Sequence, residues 1–551
     1  MVRRAARARR RTRLGVAAVA VVVCGATAMT ACTAQAVRLD AAGAGQGGAA
    51  SAADRPPSAS TRVPPAASVL ANTAPDALTA AFARLLFKSA PVVVVAASTH
   101  GALPAASQAA MAAHAPLLLL RAGAVRAPLT AEIKSLHPST VLAVGLSRAA
   151  RAALAARLPG VLVVTGAAQL PVTSAPTALR GVAVLVRAPA TGAAGAAASV
   201  AVADAGAAGV GAAGVDAAAA ASALAAVTAT ARVAGAVVVA VAGYDPRADP
   251  AAIRALAKAR TREVVAIGSG FGPAARLASR VAVAATGTQL PGGGQLVFPG
   301  HRLVALYGNP AAPSLGVLGH QDLAASIARA RQTAAQYRKL SKVPVVPAFE
   351  IIATVAQASA GPDGSYSYET PVSTLLPWVR AANAAGLYVI LDLQAGRASL
   401  LAQAEHYQSL LALPDVGLAL DPEWKLQPWQ LPLQQIGSVS AAQVNVVVRW
   451  LAALTARHHL PQKVLVLHQF SLAMITNERA IDTTQDNLAI LIHMDGQGSP
   501  GDKQQTWDAV TSAAPARVFF GWKNFYVEDH PMLSPQATMA RTPQPVMISY
   551  Q

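Results

Sequence analysis

Cysteine is nearly missing from this chain of 551 residues: Cys24 and Cys32 are the only two, both near the start. The rest of the chain therefore has no disulfide framework and no thiol nucleophile. No Gly-x-Ser-x-Gly elbow occurs either, so the commonest serine-nucleophile signature is excluded. Charged residues are scarce at 13% and aromatics at 4%, beside 54% hydrophobic residues. That balance would suit a membrane protein, yet no interior segment sustains the ~20 uninterrupted apolar residues of a spanning helix. Buried parallel strands and Ala-rich helices account for the hydropathy better. Lys and Arg exceed acids enough for a net charge of +19, but they are dispersed. Without a basic patch interleaved with aromatics, nucleic acid is a poor partner.

The first charge concentration is the N-terminus. Residues 1–13 hold seven arginines and no acid, and residues 14–28 form an apolar core. This is the pattern of a secretory signal; an uncleaved N-terminal anchor is the alternative. It ends in Met29–Thr30–Ala31–Cys32, which resembles a bacterial lipobox, with Met where Leu is usual. The resemblance implies cleavage after residue 31 and lipidation of Cys32. Loss of the seven leader arginines would leave a net charge of +12. An exported protein of that charge is drawn to anionic wall polymer or phospholipid by long-range electrostatics. Residues 32–74, rich in Ala, Gly, Ser and Pro, read as a disordered tether between lipid and domain.

An α/β region is expected next, as two units over residues 75–172 and 180–290. Alternating apolar runs and helical stretches predict doubly wound, Rossmann-like parallel sheets. The run Val92–Val93–Val94–Val95, then Gly101–Ala102–Leu103, Pro116–Leu117–Leu118–Leu119 and Val141–Leu142–Ala143–Val144–Gly145 is similar to the type 2 cell wall-binding repeat. In that repeat Asp stands at the position of Gly101 and a second Gly at that of Leu146. The similarity spans roughly residues 69–287, the second unit being a degenerate echo. It implies non-covalent association with anionic wall polymer; an α/β spacer without a ligand is the other reading.

Gly292–Gly293–Gly294 and Pro299–Gly300 mark a boundary before the last segment, residues 300–551. Eight apolar runs follow, at 302–307, 343–352, 387–393, 416–420, 463–468, 488–494, 517–522 and 545–550, mostly separated by helical patterns. That spacing predicts a (β/α)8 barrel, incomplete if the last strand is followed by no helix.

Most of these runs stop on polar or ionisable residues, where barrels of this kind carry their sites. The candidate catalytic acids are Glu350, Asp392, Asp421, Glu423 and Asp495, because carboxylates ending apolar runs need water, a partner or a ligand. Clustered acids push each other's pKa values apart, which is how a carboxylate pair divides acid and base roles in glycoside cleavage. Asp421–Pro422–Glu423–Trp424 is similar to the final part of the chitinase-type signature, without that signature's upstream aspartates. The similarity implies Glu423 as general acid and Asp421 as the group that orients it; Asp495 is the other candidate partner, and hydrogen-bonded turn contacts at a strand end are the alternative reading of Asp421 and Glu423. Residues two apart share a face of a strand, but periodicity alone does not say which face is inward.

Trp424, His468, Gln497, Trp522, Lys523, Asn524 and Tyr526 are candidate substrate contacts, the rings suiting the apolar faces of sugars. His468, His493, Asp495 and Asp392 are the residues from which a metal site could be built, but no His-x-His or His-x3-His pair occurs and no metal is expected; no cofactor is expected either. Three functional classes stay open. The chain is an envelope-anchored enzyme acting on polysaccharide, a non-catalytic glycan- or protein-binding lipoprotein, or a solute-binding lipoprotein using its α/β half.

Overall fold

The computed structural model describes residues 55–71, 74–121, 124–188 and 217–551. The leader, Cys32 and most of the expected tether lie outside the described residues. Among the described residues no helix is long and apolar enough to cross a membrane.

Residues 56–551 form one compact unit of mixed α/β structure. Its first half holds two four-stranded, all-parallel sheets. Strands β1 (Ala67–Leu70), β2 (Val92–Ala97), β3 (Leu117–Leu120), β4 (Thr140–Val144), β5 (Leu162–Val164), β6 (Val182–Arg187), β7 (Val237–Val241) and β8 (Glu263–Ile267) divide between them. One sheet runs β3-β2-β4-β5 and the other β1-β8-β6-β7. Strands β2 and β6 are almost wholly buried runs of Val, Ala and Leu, as parallel strands covered on both faces must be.

Two boundaries expected from sequence are corrected here. The end of the tether is ordered: Ser60–Thr61 pairs with Phe87–Ser89, and β1 lies alongside β8 with Val264 opposite Ala67. The two α/β units also share one core. Helix α1 (Pro75–Leu86), α2 (Leu103–Ala112) and the Ala-rich α3 (Ala217–Val233) pack together between the sheets, and Thr230 Oγ1 accepts the Leu117 amide at 2.9 Å. Alanine lets these backbones approach closely, which is why a segment with so little bulk is buried.

The second half is a closed barrel of eight parallel strands: β9 (Arg302–Gly308), β10 (Val345–Ala356), β11 (Tyr388–Leu393), β12 (Val416–Leu420), β13 (Lys463–His468), β14 (Leu488–Met494), β15 (Phe519–Asn524) and β16 (Met547–Tyr550). Closure is made by β9 against β16, Leu303 facing Met547. Helices follow most strands, but β13 is joined to β14 by two 3-10 turns and the short strand Ile475–Thr476, with no α-helix. The boundary segment before β9 plugs the lower mouth: Phe298 is buried against Phe519, and Gln462 Oε1 accepts the amides of Val297 and Phe298.

Side-chain parity now assigns the faces. Leu303, Ala305, Ala348, Ile390, Ala419, Val466, Leu491 and Met547 fill the interior, while Leu306, Phe349, Leu391, Leu420, Leu467 and Ile548 meet the outer helices. Two residues beyond each interior position stand Tyr307, Glu350, Asp392, Asp421, His468, His493 and Ser549, and Lys523 follows Gly521 by the same step. The uppermost layer of the barrel is therefore polar and ionisable, contributed by all eight strands. Gly521 is needed there: a Cβ on it would stand 2.1 Å from His493 Nδ1.

Candidate active site

Above this layer opens a cavity of about 430 Å³ whose lining includes Tyr307, Gln394, Asp421, Glu423, Trp424, Phe470, Asp495, Gln497, Lys523 and Phe525. The five acids nominated from sequence come together at this one mouth. Asp421, Glu423 and Asp495 line it, and Glu350 and Asp392 lie fully buried beneath. Asp421 begins the turn Pro422–Trp424, accepting the Glu423 amide on Oδ1 at 3.2 Å. That turn carries Glu423 and Trp424 up onto the wall. Glu423's carboxyl makes no hydrogen bond among the described residues and is open to whatever enters.

The floor is organised by His468, which is fully buried. Its Nδ1 lies 3.1 Å from Asp495 Oδ2, its Nε2 3.1 Å from Glu350 Oε1 and 3.8 Å from Asp392 Oδ1. Burial opposes a charge on this ring, but the surrounding carboxylates outweigh it and hold its pKa well above the usual histidine value. Both ring nitrogens then donate. Tyr307 donates to Asp392 Oδ2 at 2.8 Å. His493 sits with its ring centroid 5.3 Å from that of His468 and shares a hydrogen bond of 2.7 Å with Ser549 Oγ. Burial, aided by the charges of His468 and Lys523, keeps His493 well below its usual pKa and hence neutral.

The acids separate into two kinds. Burial would raise Asp495, but its hydrogen bond to the charged His468 holds it below the ordinary carboxylate range. Burial and then repulsion from neighbouring acids push Asp421 well up, and burial raises Asp392 despite His468. Glu423 is pushed up to about 6, by burial and then by the charge of Asp495. Below about pH 6 the site therefore presents an ionised Asp495 and a protonated Glu423 to one cavity. That division is what acid-assisted displacement at a polar bond requires.

The expected contacts sort less evenly. Trp424, Gln497 and Lys523 line the cavity, and His468 lies under it. Trp522 does not: adjacent to the inward Lys523, it must point outward, and it packs on Trp507 with ring centroids 5.5 Å apart. Asn524 shares that outer face, accepting the Trp522 Nε1 proton at 3.0 Å. Tyr526 lies beyond the strand end, 40% exposed, under the Arg329 guanidinium in a separate surface depression. Ser549 was missed altogether, and Tyr307 and His493 were not nominated as contacts. The signal for all three is the two-residue step from the interior row, legible only once one inward position is known.

No group of three or more His, Cys, Asp or Glu side chains among the described residues is disposed to hold a metal ion. Comparison with known proteins finds no family model that matches the chain and no curated protein sequence that matches it.

Proposed function

We propose that the barrel cleaves or transfers glycosidic bonds, with Glu423 as general acid and Asp495 as the opposing carboxylate. The observation that carries this reading is the pair itself: two carboxyl groups on one cavity, one without a partner and raised, the other salt-bridged and lowered. Glu423 gives its proton to the leaving oxygen as the C–O bond breaks. Asp495 either attacks the anomeric carbon or takes a proton from the attacking water. Trp424, Phe470 and Phe525 supply apolar faces for a sugar ring. Release of reducing ends from purified wall glycan is the direct assay.

The two carboxyls also set a pH profile. Activity needs Asp495 ionised, so it should rise on the acid side below the usual carboxylate range. It needs Glu423 protonated, so it should fall as pH climbs through about 6. The expected kcat/KM profile is a bell with its optimum on the acid side of 6. A plateau extending above pH 8 would remove Glu423 as the acid.

For the rest of the chain the proposal is an exported, lipid-anchored envelope protein, tethered through Cys32. Its doubly wound, Rossmann-like repeat units adhere to anionic wall polymer. Support comes from the leader pattern, the repeat resemblance and a surface groove of about 850 Å³ in the α/β half. The groove is lined by Arg62, Lys88 and Arg180 and by no acid. Salt screens such contacts strongly, the Debye length falling to ~3 Å at 1 M. Sedimentation of the whole protein with wall material should therefore be lost in 1 M NaCl. Salt-insensitive binding would count against this adhesion.

A further inference from the structure

We propose that the sugar chain taken by this cavity bears a carboxylate, and that Lys523 recognises it. The inference rests on the glycan reading above and narrows its substrate class to acidic polysaccharide. Four lysines in the described part of the chain are buried: Lys425, Lys463, Lys503 and Lys523. Three have acceptors. Lys425 donates to the carbonyls of Gly396 and Leu426, Lys463 to those of Leu413 and Val416, and Lys503 to Asp529 and the Lys523 carbonyl.

Lys523 has none. It is 3% exposed, and among the described residues no oxygen accepts from its ammonium and no carboxylate lies within ion-pair distance. Its Nζ is instead held 3.4 Å from the centroid of the Tyr307 ring, with the Phe525 ring at 5.2 Å. Ring faces attract the charge but do not satisfy three N–H donors. The open side of this ammonium faces the cavity that it lines, where an anion would give it the acceptor that no side chain supplies.

The chemistry that fits is a single negative charge on an oxygen pair. A carboxylate gains a charge-assisted hydrogen bond, which a neutral hydroxyl cannot match. A phosphomonoester is doubly charged, and its second charge has no further cation to face on this cavity; a singly charged phosphodiester is the competing anion, compared directly in the binding test. Gln394, Gln497 and Gln551 are among the neutral donors lining the cavity for the rest of the sugar.

The test is calorimetric binding to the full-length Glu423→Gln protein, so that turnover does not intrude. Three probes are compared: oligogalacturonate, the same oligomer with its carboxyls reduced to alcohols, and a glycerol-phosphate oligomer. The acidic oligomer should bind at least about tenfold tighter than the reduced one. Adding Lys523→Met should erase that difference, and Lys523→Arg should restore most of it. Equal binding of acidic and reduced oligomers leaves the sugar site standing and overturns the carboxylate assignment. Tighter binding of the phosphate oligomer also overturns it. Binding of none of the three overturns both this assignment and the glycan reading beneath it.

Discussion

Glu423→Gln is expected to cut glycan cleavage by about 10²- to 10⁴-fold, the range contributed by a positioned general acid, while leaving the fold intact. The stability half of this expectation follows from the contacts. Among the described residues Glu423's carboxyl has no hydrogen-bond partner, and what fixes its position is backbone: its amide to Asp421 Oδ1, and its carbonyl accepting from Gly437 at 2.6 Å. Glutamine keeps both bonds and the volume, and it removes a carboxyl whose charged form burial already disfavours. The melting temperature should therefore stay within a degree or two, since surface-like changes without lost partners shift stability by ~0.5 kcal/mol or less. Asp495→Asn is a poorer diagnostic because it also strips His468 of a partner. Reducing-end release by Glu423→Gln at the wild-type rate would remove the acid from the mechanism. It would turn the cavity into a glycan-binding site without catalysis.

How the sequence and the structure meet differs between the two halves. All eight barrel strands overlap the apolar runs that predict them, because a parallel strand covered on both faces needs a continuous apolar run. Convergence of the acids was also legible, since strands of a parallel barrel all end on one face. Facing was not. Trp522 and Lys523 are neighbours, so only one can enter the cavity, and period-2 logic cannot choose without a fixed inward position. Interior packing at Leu491 and Met547 supplies that position.

The N-terminal half resisted reading for a different reason. β1 is four residues long, follows two prolines and pairs with a strand almost two hundred residues later. Local composition calls such a segment a tether; only the vacant edge of β8 makes it a strand. The shared core has the same origin. Helix α3 has ten alanines in seventeen residues and shows no strong apolar stripe, yet two sheets close on it because small side chains permit close approach. Long-range pairing and fit, not propensity, decide both cases.

Replacing His468 by Leu should cost about 3–5 kcal/mol near neutral pH, the range for breaking one side of a buried ion pair. The wild-type balance explains the size. Glu350 and Asp392 are fully buried and Asp495 nearly so, and among the described residues His468 is the one cation in ion-pair contact with them. Because its folded pKa is raised, the stabilisation from His468 is fully present below its unfolded value, ~6.5. It is lost only as pH rises through the higher folded value.

In the Leu variant Asp495 loses the hydrogen bond to charged His468 that holds its pKa down, and burial then drives its folded pKa above the unfolded one. Folding then binds protons over that interval, and stability falls as pH rises through it. The deficit relative to wild type should thus be small near pH 4–5 and grow toward pH 8. A second change, Glu350→Gln, should recover part of it at pH 8 by removing one uncompensated charge. Urea unfolding of the three proteins across that pH range provides the measurement. A deficit that stays constant with pH would mean that His468 contributes shape alone, and the floor would not be the charge relay that keeps Asp495 ionised opposite Glu423.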